Sequence, residues 1–239
     1  MIIELCGVPG AGKSSIAREL VAELRGLGRD ASLPLEDVSP RRRRSYRVGR
    51  KVGRAAMEVT RHPWTSVGAV RAVVRSGQPT QRDVAVRSLN WLVLRAAMRR
   101  ARASVGFHVI DQGIIQELCS LGFCGDAQAA IDVADPGVGL LAPDVILVVD
   151  VDLELADQRL GSRPGRESRV EADGLDRRRE LERHGRLGEE VLASWLERFG
   201  DRVPTTVRRV VNGLGDTEVG AMVSSLVLPH GPEAEVATR

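Results

Sequence analysis

Residues 7–14 read Gly7-Val8-Pro9-Gly10-Ala11-Gly12-Lys13-Ser14, a G-x-x-x-x-G-K-[ST] pattern placed directly after the apolar run Ile2–Cys6 and directly before an amphipathic stretch. Strand, glycine loop and helix in that order are the context the pattern needs, and they leave few folds open. Glycines let the backbone wrap a polyphosphate so that successive N–H groups point at its oxygens. The helix that starts near Ser14 adds the positive end of its dipole. Lys13 is expected to reach the β- and γ-phosphates, and the Ser14 hydroxyl to ligate Mg2+. A plain glycine-rich turn holding a lysine is the weaker reading, because strand and helix are both in place.

The rest of the chain agrees with such a start. Its 239 residues, 43% of them apolar, suffice for one α/β domain with a substantial core. With only three Trp, one Tyr and three Phe, that core has to be built from Val, Leu, Ile and Ala, a palette suited to buried parallel strands between helices. Cys6, Cys119 and Cys124 make no paired framework and share no metal-ligand spacing with the four histidines, so a reducing cytoplasm is expected. No signal peptide is expected, since the N-terminus runs straight into strand one. The strongest apolar run, Val145 to Val149, is too short to span a bilayer.

Apolar periodicity places strands at Ile2–Cys6, Ala31–Leu35, Phe107–Ile110, Val145–Val149 and Val207–Val211. Helices are expected at Ser15–Leu27, in a broken pattern between Arg41 and Gly77 with a start at Pro63, from Pro79 to about Ala103, at Ile114–Leu121 and at Ala127–Ala134. Further helices are expected from Leu153 to about Leu160, over Leu175–Phe199 and over Glu218–Leu226. Pro136–Pro143 reads as a loop, and the tail from Pro229 as disorder. The whole predicts a single domain over 1–228: a parallel, doubly wound sheet with helices on both faces. Ligands of such sheets bind at the carboxyl ends of the strands. The candidates are therefore the glycine loop, Glu36 and Asp37, Asp111 and Gln112, Asp150 and Asp152, and Asn212.

Asp111, just past strand three, can hold the Mg2+ shell or accept a proton from an attacking group, although a lone aspartate there also serves as a helix cap. Arg159, Arg163, Arg166 and Arg169 follow strand four at spacings of four, three and three. They can close over a triphosphate and steady the charge on a transferred phosphoryl group, or form a solvated face in an arginine-biased chain. Between Arg41 and Arg54 lie eight positive side chains, including Arg41 and Arg44, and no acid, so the remainder of the chain is net negative. This local charge suits an acceptor phosphate.

Ile2-Ile3-Glu4-Leu5-Cys6 with the Walker A residues Gly7 to Ser14 and Ser15, Val109-Ile110-Asp111-Gln112-Gly113 after strand three, Ala142 to Val151 around strand four, and the run from Ala156 through Arg159, Arg163, Arg166 and Arg169 together resemble the thymidylate kinase-like branch of the P-loop nucleoside and nucleotide kinases. The resemblance covers about residues 1–28 and 107–226. It implies a three-layer α/β/α fold with a five-stranded parallel sheet in order 2-3-1-4-5, ATP as donor and Mg2+ as its metal. Gly7, Val8, Pro9, Gly10, Ala11, Gly12, Lys13, Ser14 and Ser15 would bind the nucleotide, with Asn212 to Asp216 near the adenine. Ser14 and Asp111 would hold the metal. Lys13, Asp111 and an arginine lid over about 159–174 would be catalytic. The helical region over about 38–104 would form the acceptor side, with Glu36, Asp37, Arg41, Arg44 and Gln112 as candidate contacts. The family keeps Asp-Arg where this chain has Asp111-Gln112, and residues 41–104 match no family pattern.

The expected function is transfer of the γ-phosphate of ATP to a nucleotide or nucleoside, with the hydroxyl of a sugar or natural product as the alternative. The other class is a regulatory or nucleic-acid-associated NTPase. Against it, the chain lacks an Asn-Lys-x-Asp guanine signature, and Tyr46 is the only aromatic residue in the basic run. The expected partner is a small-molecule phosphoryl acceptor, without membrane or nucleic acid, and a homodimer is admitted.

Overall fold

In the computed structural model, which describes residues 1–38, 44–132, 141–162, 176–203 and 205–212, five strands form one sheet. They are β1 (Ile2–Cys6), β2 (Ala31–Ser32), β3 (Phe107–Ile110), β4 (Val145–Asp150) and β5 (Thr206–Val211), in order β2-β3-β1-β4-β5. Every pairing is parallel, with Glu4 opposite Ile110 on one side of β1 and Cys6 opposite Val148 on the other. The expected fold class and strand order are those observed. Because β1 sits between β3 and β4, the chain reverses its direction of winding there, and the carboxyl ends of β1 and β3 border the crevice.

The helices are α1 (Lys13–Gly26), α2 (Arg44–Arg61), α3 (Pro63–Arg75), α4 (Gln81–Arg102), α5 (Ile114–Gly122), α6 (Ala127–Asp132), α7 (Leu153–Gly161) and α8 (Arg177–Phe199). Strand alternation divides β1 between two cores. Ile3 and Leu5 pack with Ile16, Leu20 and Leu24 of α1 on one face, whereas Ile2 and Cys6 face Met98 of α4, Ile115 and Leu118 of α5 and Trp195 of α8 on the other. Glu4, two residues from each of Ile2 and Cys6, faces the α5 side with them.

Several boundaries depart from the sequence reading for local reasons. β2 stops at Ser32 instead of Leu35, because Pro34 has no N–H for the ladder and the chain turns, with Glu36 N donating to Leu33 O. Glu36 and Asp37 consequently lie in a 3-10 turn, Glu36–Val38. Helix α4 starts at Gln81, where the Thr80 hydroxyl accepts from Asp83 N at 3.0 Å and caps it. Helix α8 starts at Arg177 with Asp176 as its cap. The break expected after Arg41 falls between α2 and α3, with Pro63 at the first position of α3. Most of the expected loop at 136–143, the lid beyond Ser162, the expected last helix and the tail fall outside the described residues. No helix among the described residues is long and apolar enough to cross a membrane.

Candidate phosphate-binding site

The glycine loop is wedged between the ends of β4 and β5 and the start of α7. Gly10 and Gly12 have φ of +86° and +85°, a region that side chains disfavour. A Cβ on Gly10 would stand 2.5 Å from Ala156 O, and one on Gly12 would stand 2.3 Å from Asn212 Nδ2. Both positions therefore require glycine twice over, for conformation and for space. Helix α1 begins directly after Gly12 with no side-chain cap and no acid in its first turn, so its positive end suits an anion. Ser14 and Ser15 are exposed at this helix start.

Two side chains brace the loop. Lys13 Nζ donates to Gly7 O at 2.8 Å and to Val8 O at 2.9 Å, which holds the ammonium over the loop's own rim. Asn212 is buried beyond β5 and donates its Nδ2 to Ala11 O at 2.6 Å, while its backbone N donates to Asp150 O. The residue expected near an adenine thus supports the phosphate loop from below. Arg159, on α7, brings Nη1 to 3.5 Å from the place a Gly12 Cβ would occupy and so borders the loop. Arg163, Arg166 and Arg169 lie outside the described residues.

Asp111, immediately past β3, accepts from the Ser14 hydroxyl at 2.6 Å. A hydroxyl and a carboxylate, both hard oxygen donors at a glycine loop, suit Mg2+, which keeps several waters and phosphate oxygens and needs only one or two protein ligands. No group of three or more His, Cys, Asp or Glu able to hold a metal by itself occurs among the described residues. Gln112 is exposed beside Asp111.

On the acceptor side the carboxylates separate. Asp37 is held by Arg50 at 2.7 Å and by Arg54 at 2.8 Å, and Arg54 also donates to Pro34 O. Glu36 is exposed, and its side chain makes no hydrogen bond or ion pair among the described residues. Lys51 donates to Asn90 Oδ1 at 2.7 Å, and burial lowers its pKa, opposed by Glu117 and reinforced by Arg47 and Arg87. Three of the basic cluster's members are thus bound to partners inside the fold. Arg41 lies outside the described residues, and Arg44 is the first residue of α2.

Sequence reasoning missed three features. Arg87 of α4 meets Glu117 of α5 at 3.4 Å, both side chains being mostly buried near the Lys51–Asn90 pair. His184 of α8 is buried with its ring 5.7 Å from that of Phe123, and burial, helped by the charge of Lys13, lowers its pKa to about 4. Glu4 is fully buried in β1, and loss of solvent raises its pKa to about 7 against three backbone N–H groups that lower it. Only Glu4 left a sequence signal, as the one acid inside a buried strand.

No protein-family profile and no curated protein matches the chain. Solved structures do. Deoxyadenosine kinase from M. mycoides with bound dATP is similar over 95% of this chain and 98% of its own, with a TM-score of 0.50 and 15% identity. A second structure of that enzyme, with dCMP as product and a flexible dCDP bound, is similar over 95% and 96% with a TM-score of 0.48 and 17% identity. At 15% identity the likeness to the dATP-bound enzyme is one of fold alone, an α/β fold, here with a five-stranded parallel sheet in order β2-β3-β1-β4-β5.

Proposed function

We propose that the chain is an ATP-dependent kinase that phosphorylates the hydroxyl of a nucleoside-like acceptor. The observation that carries this reading is the Ser14–Asp111 contact at the mouth of a glycine loop braced by Lys13 and Asn212. The fold shared with deoxyadenosine kinase fits the same class. ATP would bring the γ-phosphoryl group, with Mg2+ screening its oxygens. Lys13 exchanges the loop carbonyls for phosphate oxygens, Ser14 and Asp111 offer the metal-side oxygens, and Arg159 steadies charge at the loop. Glu36 takes the proton as the acceptor oxygen bonds to the γ-phosphorus. The bond from that phosphorus to the β,γ-bridging oxygen breaks, and ADP leaves with its electrons.

A neutral acceptor is favoured because three of the charges that suited a phosphate are engaged elsewhere: Arg50 and Arg54 hold Asp37, and Lys51 holds Asn90. Gln112 can hydrogen-bond but cannot balance a dianion. A thymidylate kinase-like, nucleotide-phosphorylating activity is the second reading, favoured by Arg47, whose side chain makes no hydrogen bond or ion pair among the described residues.

The test is ADP release from ATP and Mg2+ in the presence of nucleosides, nucleoside monophosphates, sugars and aminoglycoside-like alcohols, with 31P NMR of the product. A new phosphomonoester is expected. A diphosphate would transfer the assignment to the second reading, and no acceptor-dependent release from any class would overturn both. Lys13→Ala should leave less than about a tenth of the activity, since tenfold corresponds to only ~1.4 kcal/mol.

A further inference from the structure

Glu4 has no exposed surface, and its carboxylate lies against the start of a helix on a neighbouring element. It accepts from Ile114 N at 2.9 Å, Ile115 N at 2.7 Å and Gln116 N at 3.3 Å, the first three N–H groups of α5. These are the donors a helix leaves unpaired, and the residue just before the helix ordinarily caps one of them. Gly113 occupies that place without a side chain, and a Cβ on it would stand 2.2 Å from Glu4 Cδ. The cap is thus supplied from β1, and Gly113 makes room for it.

The two ends of this contact lead to the two metal-side oxygens. Three residues beyond Glu4 the chain enters the glycine loop at Gly7, which ends on Ser14, and three residues before Ile114 stands Asp111. Burying a carboxylate without a cation is costly, and three amides offset that cost only in part. An alanine or valine in β1 with an ordinary Ser or Asp cap at 113 would avoid it. What Glu4 adds is a rigid link between β1 and the turn carrying Asp111.

We propose that Glu4 is a positioning residue for the metal side of the phosphate site: by capping α5 from β1 it holds the Asp111 carboxylate opposite the Ser14 hydroxyl. The inference rests on the nucleotide-binding reading above. Glu4→Gln keeps the shape but turns an NH2 group toward backbone donors, so the turn loses its anchor while Asp111 and Ser14 remain.

The experiment is calorimetric titration of ATP into the full chain, in EDTA and over a Mg2+ series, with thermal unfolding measured alongside. For Glu4→Gln, the Mg2+ concentration at half-maximal enhancement of ATP binding should rise about tenfold or more, the usual effect of removing a group that orients a metal ligand. Metal-free ATP affinity should hold. A lower Tm with an unchanged Mg2+ midpoint would show a structural cap only and overturn the proposal. If the unaltered chain binds no ATP, the nucleotide reading itself falls and the proposal with it, an outcome distinct from an unmoved midpoint. Should Glu4→Gln not fold, the unaltered chain decides. The amide resonances of Ile114, Ile115 and Gln116 should shift with Mg2+ in the ATP complex at the midpoint of binding, and stationary amides would overturn the proposal.

Discussion

The Ser14 hydroxyl and the Asp111 carboxylate are 97 residues apart in sequence and 2.6 Å apart in space. The parallel pairing of β1 with β3 brings them together, since each lies beyond the carboxyl end of its strand. A hydroxyl donating to a carboxylate marks a place where both oxygens can turn to a shared cation.

Asp111→Asn is expected to lower kcat by about a hundredfold or more, since loss of one charge-stabilising group at a reacting centre costs roughly 3 kcal/mol. Mn2+ or raised Mg2+ should restore part of it. Glu36→Gln should be comparably damaging, and no metal should rescue it. Kinetics of both variants in Mg2+ and Mn2+ separate the metal ligand from the base; rescue of Glu36→Gln by Mn2+ would interchange the two roles.

Asn212→Ala removes the donor to Ala11 O and leaves that buried carbonyl unpaired, a loss of about 1–2 kcal/mol. ATP affinity measured by calorimetry should fall about tenfold. Gly12→Ala should be worse, because its methyl would meet Asn212 and its φ is unfavourable.

For a neutral acceptor, the double change Arg50→Gln with Arg54→Gln should leave the acceptor KM nearly unchanged and lower the Tm through the freed Asp37. Glu117→Gln, which disrupts the mostly buried pair with Arg87, should raise the acceptor KM about tenfold and spare the KM for ATP. The opposite pattern in steady-state kinetics would point to a phosphorylated acceptor.

His184 and Glu4 give stability opposite dependences on pH. The folded pKa of His184, about 4, lies below its ordinary value, so the unfolded chain takes up its proton first and stability is lost as pH falls through 6.5 toward 4. Glu4 is raised to about 7, so its contribution is fully present below about 4.5 and is lost as pH rises through 7. His184→Phe, which can still pack against Phe123, removes the first slope alone. Relative to the unaltered chain, it should gain roughly 2 kcal/mol more at pH 5 than at pH 7.5 in urea denaturation. An equal difference at both pH values would mean that His184 titrates normally.

Local information determined a large part of this protein. The run Gly7 to Ser14 encodes its own loop, because Gly10 and Gly12 adopt the left-handed conformation that no other residue takes easily. The apolar runs set the strands, and the family resemblance supplied their order. Prolines placed two helix starts, at Pro63 and at Pro79, to within a residue or two. The tertiary structure alone decided what each polar side chain touches. Glu36 and Asp37 are neighbours of like chemistry, yet only Asp37 is taken up by Arg50 and Arg54 from α2. Asn212 reads as a loop residue and is a buried brace, and Glu4 reads as an interruption of a strand and is the cap of α5. Such roles depend on contacts between residues remote in sequence, where neither spacing nor periodicity carries a signal. Burial then decides, because a polar group removed from water takes whichever partner the packing brings within reach.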